Sequence, residues 1–389
     1  MTAPNEVLIR IENKRNFFDV SVDILEMNSR QLVTAALSGL ATPRIPTGPL
    51  AVHYCAGLAG YTLRQYTTDA KMLAESVIRY YEKFKPDAVW LSADTWISAE
   101  AMGAKVGATA DNQPFGGMDE PLVQSAADID RIPAPDTASQ GRYPVMLEAL
   151  AQVVDALGQS VFVVACFDQY PFSLAAALMG INEIMLRVGD DPPFVEALMA
   201  RCSDYALAYG SALSRAGADM LSGGDSPAGL LGPDLYQEVA LPAERQLITR
   251  MQAATGKRVS LHICGKATRM LPFMKTSGAN VLELDHAVSM SEACQVVGPD
   301  IALWGNLDPV SVLAQGTPER VRTESLEIIA AARQAGHQRL VLSSGCTLAV
   351  ETPAANLHAL MAAAQQGRDF HSTTTSHRSL PEPAAAGQC

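Results

Sequence analysis

The chain has 389 residues, of which 48% are hydrophobic and 18% charged, enough to bury a sizeable core. A net charge of −12 and an isoelectric point near 5.1 argue against nucleic acid as a partner. Seven scattered cysteines, mostly inside apolar runs, fit thiols of a reducing compartment rather than a disulfide framework. Residues 1–14 are polar and hold no leader-like apolar stretch, and no run of about 18 apolar residues suggests a membrane span. The expected location is cytoplasmic.

Residues 1–27 carry charge without a clear period and are expected to form an N-terminal extension packed on the main body. Asn28-Ser29-Arg30 caps a short predicted helix over 31–38, ended by Gly39, after which Pro43, Pro46 and Pro49 oppose further helix. Strand-like runs then recur at 48–53, 88–91, 160–165, 218–222, 258–263, 280–284, 301–305 and 339–342. Helical patterns over 68–83, 144–156, 192–216, 235–255, 266–277, 289–297 and 318–335 lie between most of them. The last begins well, with Thr317 as cap and Pro318 at the first helical position. Strands alternating with helices imply parallel pairing through crossovers, and eight strands close a (β/α)8 TIM barrel. An open doubly wound sheet is disfavoured, because no Gly-x-Gly-x-x-Gly follows the first strand. The expected fold is therefore α/β, a single barrel over 28–367. Residues 108–142, rich in Gly, Pro, Asp and Gln, read as a long loop or lid after strand two. The Ser/Thr/Pro/Ala-rich segment 368–389 reads as a disordered tail.

Barrel chemistry gathers at the C-terminal strand ends. Strand two is followed by Ser92-Ala93-Asp94-Thr95-Trp96 and then Glu100, strand three by Cys166-Phe167-Asp168-Gln169-Tyr170, and strand four by Gly223-Gly224-Asp225-Ser226. Strand five ends in His262 and Cys264, strand six in Asp285-His286, strand seven in Asn306 and Asp308, and strand eight in Cys346. The opposite ends carry Gly, Ala, Pro and ordinary surface charges such as Asp87. His262 and Cys264 are two apart in a strand and so face one side. With Cys346 they make a three-ligand zinc site with one open position. Two thiolates and an imidazole leave Zn²⁺ near neutral, soft and modestly Lewis acidic. Such an ion holds a thiol as its thiolate, lowering a pKa otherwise near 8.5; the donor set points to alkyl transfer at sulfur. Cys166, Cys202 and Cys294 read as small core residues, and Asp94, Asp225 and Asp285 equally as helix caps. His286 and His53 read as structural.

Several stretches together resemble the uroporphyrinogen decarboxylase superfamily and, within it, the corrinoid-linked methyltransferases. They are Pro171-Phe172-Ser173-Leu174-Ala175-Ala176, Ala216-Gly217-Ala218-Asp219, Leu284-Asp285-His286, Trp304-Gly305-Asn306-Leu307-Asp308-Pro309, Gly316-Thr317-Pro318-Glu319 and Glu351-Thr352-Pro353-Ala354-Ala355-Asn356-Leu357. The family fold is a (β/α)8 barrel. The decarboxylases' arginine-rich segment is missing from Val52-His53-Tyr54-Cys55-Ala56-Gly57, and Cys346 stands where they keep a histidine. The methyltransferases' zinc ligands match His262, Cys264 and Cys346 in order and approximate spacing. The resemblance implies a zinc-dependent enzyme moving a methyl group between a corrinoid and a thiol, methyl ether or thioether. Asp94, Asp225 and Asp285 are expected as catalytic residues, Asn306 and Asp168 at the cofactor, and Glu100 as a fourth zinc ligand. No Asp-x-His-x-x-Gly corrinoid signature occurs, so cobalamin is expected on a partner protein or free. A decarboxylase-like enzyme and a non-catalytic tetrapyrrole-binding barrel are the alternatives.

Overall fold

The computed structural model describes residues 6–13, 16–107, 109, 112, 114–116 and 121–366; the expected tail lies outside them. Strands β1 (Glu6–Asn13) and β2 (Asn16–Asp23) form an antiparallel hairpin. Its Ile9 and Val22 pack on Ala35 of the helix Ser29–Leu37. That helix begins at Ser29, two residues before the expected 31, with Asn28 as its cap. The Asn28 side chain accepts from the Gln31 backbone N–H, and the Gln31 side chain accepts from that of Asn28, satisfying two otherwise unpaired donors.

The centre is a curled parallel sheet of seven strands: β3 (Ala88–Leu91), β4 (Phe162–Gln169), β5 (Met220–Gly224), β6 (Arg258–Ile263), β7 (Val281–Leu284), β8 (Ala302–Leu307) and β9 (Leu340–Ser344). Each pairs with the next in chain order. The architecture is the TIM-barrel type expected from the alternation of strands and helices.

The eighth staves differ from expectation. Residues 48–53 were expected as the first strand, yet Val52–Ala59 is a helix, and only 46–48 are strand-like. Thr47 O accepts from the N–H groups of Asp87 and Ala88 beside β3, while Pro46 O and the Gly48 N–H bond Leu342 of β9. These three residues thus bridge both sheet edges and close the barrel. Pro46 and Pro49 have no N–H to extend the ladder, which keeps the stave short. Asp87 is not the surface charge expected of it. It is buried, and its carboxylate accepts from both Arg44 terminal nitrogens, Ser29 Oγ and the Thr47 N–H, fixing the closing segment.

Alternation puts Val259, Leu261 and Ile263 of β6 under the outer helices and Ser260 and His262 inside the barrel. The lower interior is apolar: Ala88, Trp90, Phe162, Val164, Met220, Val281, Ala302, Trp304 and Val341 pack together. Both indole N–H groups donate to Gly48 O, at 3.0 and 2.9 Å. A Cβ on Gly48 would lie 2.3 Å from the Trp304 ring, so the stave needs glycine there.

Other expected helices recur with shifted ends, including Pro192–Arg215 and Pro318–Gln334. The pattern over 235–255 splits into Gly232–Leu235, a π-turn Tyr236–Ala240 and Leu241–Thr255. Val106–Gly107, just before the long loop, pairs with Phe115–Gly116 inside it, and Ala126–Arg131 is helical; part of this loop lies outside the described residues. No single described helix is long and apolar enough to cross a membrane. The pair Pro171–Met179 and Ile181–Asp190 passes that test only together, bent by 112°.

Candidate metal centre

The end of β6 and the turn after β9 bring His262, Cys264 and Cys346 together, with their ligand atoms all within 4.8 Å of one another. His262 Nε2 lies 2.9 Å from Cys264 Sγ, and the two sulfurs are 4.0 Å apart. That is far beyond a disulfide and close to the roughly 3.8 Å separating two thiolates on one tetrahedral zinc. The N–S contact is shorter than the ~3.6 Å such an ion would impose, so metal would part these two atoms slightly. His262 Nδ1 is 3.0 Å from Glu283 O; donating there leaves Nε2 as the lone pair facing the sulfurs. A nitrogen and two sulfurs, partly buried and with the imidazole tautomer already selected, fit zinc.

The electrostatics are those of a cluster sharing protons. The hydrogen bond from Cys346 draws the Cys264 thiol down to about 7, against burial. Cys346, donating to Cys264, is correspondingly pushed up to about 12. Burial works against a charge on His262, but Cys346 and the Glu283 carboxylate outweigh it and raise the imidazole to about 9. A metal must therefore displace protons to bind.

Beneath the triad lies a residue the sequence reading passed over. Glu283, directly across from His262 in the β6–β7 register, is buried and accepts from Ser222 Oγ at 2.7 Å and from Ser260 Oγ. Three neighbouring strands thus supply a polar floor. The available signal was a Ser, Ser and Glu at inward positions of otherwise apolar strands.

Glu100, expected as a fourth ligand, is placed elsewhere. Its carboxylate takes the Arg142 Nε–H at 2.5 Å, while the Arg142 terminal nitrogens bond both oxygens of buried Asp94 at 2.5 and 3.1 Å and Thr67 O. Asp94, expected as catalytic, is held in this clamp, and its Oδ1 also caps the Trp96 N–H. Burial opposes the charge on Arg142, but the two carboxylates overcome it and raise its pKa. Arg142 was also missed, since its partners lie 48 and 42 residues away.

Asp168 sits beside this clamp at an irregularity in β4 with φ +82°, a region that side chains rarely adopt. Its Oδ2 accepts from the Ser98 N–H, its buried Oδ1 has no hydrogen-bond partner among the described residues, and burial pushes its carboxyl up to about 8. Asp225, also expected as catalytic, is fully buried rather than facing the mouth. Oδ1 accepts from the Ser173 N–H and Oγ, and its own N–H donates to His262 O. Burial raises the carboxyls of Asp225 and Glu244 alike, and the charge of Asp225 raises Glu244 as well. Asn306, expected at the cofactor, spends its amide N–H groups on Asp285 O and Val288 O, shaping the turn after β7. Asp285 Oδ1 caps the Ala287 N–H and meets His286 Nδ1 at 3.1 Å, while His286 Nε2 faces Asp308 at 3.5 Å. His286 is therefore occupied by carboxylates at the rim. The structure brings together the triad with the turns that carry Asp225 and Asp285; Asp94, Glu100 and Asp168 form a separate group around Arg142.

Fold and site define a barrel that gathers one imidazole and two cysteine sulfurs, a set that could hold a metal ion, at the C-terminal ends of its strands. The chain belongs to the uroporphyrinogen decarboxylase (URO-D) family, whose model matches residues 28–367. It is 31% identical to the methylcobamide:CoM methyltransferase MtbA of Methanosarcina mazei over 303 residues, 77% of this chain and 86% of that one. It is 30% identical to the uroporphyrinogen decarboxylase of Myxococcus xanthus over 245 residues, 61% of this chain and 68% of that one. Among solved structures, a methyltransferase from Methanosarcina mazei superimposes with a TM-score of 0.78 at 23% identity, covering 88% of this chain and 99% of that one, a likeness of fold.

Proposed function

We propose that this protein is a zinc-dependent methyltransferase that moves a methyl group between a corrinoid and a small thiol, methyl ether or thioether. The observation that carries the reading is the convergence of His262 Nε2, Cys264 Sγ and Cys346 Sγ with the Nδ1 position already committed to Glu283 O. Similarity to a methylcobamide:CoM methyltransferase supports the transfer class. These three residues hold the ion and leave a fourth position for substrate. Zinc so held supplies a soft Lewis acid that favours the thiolate of a bound thiol or polarises an ether or thioether.

The protein's own groups do the rest. The Glu283 carbonyl orients His262, and the Glu283 carboxylate with Ser222 and Ser260 makes a fixed polar floor. Asn306 holds the turn that presents Asp285 at the mouth, where Asp285 is the residue we assign to positioning the substrate. The corrinoid is proposed to come from outside the chain, free or on a carrier protein. Free thiols at all six described cysteines accord with a cytoplasmic setting.

The test is single-turnover demethylation of methylcobalamin with a panel of small thiols, followed by the corrinoid absorbance change, on wild type and Cys346→Ser. Loss of transfer in the variant, with the fold intact, is expected. Because decarboxylases of the family are also similar, uroporphyrinogen is assayed in parallel. Carboxyl loss from it, with no corrinoid reaction, would replace this reading.

A further inference from the structure

We infer that Ser226 is a positioning residue for the metal centre, donating a hydrogen bond to the Cys264 sulfur so that the two thiolates become unequal donors. This rests on the zinc reading above. Ser226 Oγ lies 3.1 Å from Cys264 Sγ. Among the described residues no hydroxyl or backbone amide is placed on Cys346 Sγ, whose sulfur contact is Cys264 itself. A hydrogen bond to a thiolate withdraws electron density from the sulfur and so weakens its donation to a metal. Cys264 becomes the weaker donor and Cys346 the stronger.

The surrounding structure fixes this contact. Ser226 opens the short 3-10 turn Ser226–Leu230, directly after Asp225. The Asp225 N–H donates to His262 O at 2.8 Å, and its carboxylate is anchored by Ser173 from the far side. Farther along, Gly229 lies so close to β6 that a Cβ would meet Ile263 at 3.2 Å and Cys264 O at 3.5 Å. The turn is thus pinned to the ligand strand at both ends with the hydroxyl between them. Asp225, expected as catalytic, acts through Ser226 in this arrangement.

The experiment uses the full chain loaded with Co²⁺, whose thiolate-to-metal charge-transfer band reports sulfur donor strength, together with Zn²⁺ competition against a chromophoric chelator. Ser226→Ala is expected to keep one ion per chain and move the band to lower energy, while zinc competition checks that the site still loads. Ser226→Thr, which keeps the hydroxyl, is expected to restore the band. A band unshifted in Ser226→Ala, whether or not affinity falls, assigns Ser226 a merely structural role and overturns the inference. A wild-type chain that takes up neither ion overturns the zinc reading itself, and this inference with it.

Discussion

Replacing Arg142 by Ala removes the cation that two carboxylates share inside the barrel wall. The Arg142 side chain is 9% exposed and that of Asp94 fully buried, so water cannot substitute for the lost partner. Breaking a buried pair by deleting one member costs about 3–5 kcal/mol, because a charge is left uncompensated. Glu100 adds little, since its side chain is 29% exposed and water screens it. For a chain of 389 residues the unfolding entropy is about 0.8 kcal/mol/K, so the melting temperature should fall by ~4–6 °C. Thermal and urea unfolding of wild type, Arg142→Ala and Arg142→Lys measure this, with Lys recovering part of the loss because it keeps the charge but not the fork. The sharper check is a sign reversal. Asp94→Asn should destabilise wild type yet stabilise the Arg142→Ala background, where it removes the stranded charge. A loss under 1 kcal/mol in Arg142→Ala, or no reversal, would refute the argument that this clamp is a buried ion pair.

Three further outcomes follow from other parts of the molecule. The Asp168 carboxyl is raised from 3.8 to about 8, so the folded state holds a proton that the unfolded chain releases. Its contribution to stability is present below pH 4 and is lost as pH rises through about 8, and Asp168→Asn should flatten that decline in unfolding free energy. Gly48→Ala forces a methyl to within 2.3 Å of Trp304 at the barrel closure, which should cost at least about 3 kcal/mol or abolish soluble expression. Apparent zinc affinity should climb with pH through about 7 and on past 9, as Cys264, His262 and then Cys346 give up protons. Competition titrations against a chelator of known pH dependence read this directly, and a flat profile would contradict it.

The parts of this structure legible in the sequence are those set by local periodicity. Seven strands announced themselves as short apolar runs, and the two-residue spacing of His262 and Cys264 placed both on one face. The first stave was misread because Gly48–His53 looks apolar, whereas prolines at 46 and 49 stop its ladder and the contacts that hold it are long-range, to Asp87 and Leu342. Asp225 and Asn306 were correctly placed at strand ends. Chain position does not tell whether a polar side chain faces the mouth or is spent on neighbouring backbone, and both are spent. Arg142 escaped for the same reason from the other side, because it matters through partners distant in sequence, whereas Glu283 left a trace as one of three polar residues at inward positions of apolar strands.

The most direct test of the account is metal analysis of the purified protein combined with X-ray absorption at the zinc edge, on wild type and Cys264→Ser. The expected result is one zinc per wild-type chain, with two sulfurs near ~2.3 Å, at least one nitrogen near ~2.0 Å and an exchangeable light atom, and occupancy lost in the variant. A well-folded wild type that binds no zinc, or one whose zinc keeps its occupancy and both sulfurs without Cys264, would contradict it.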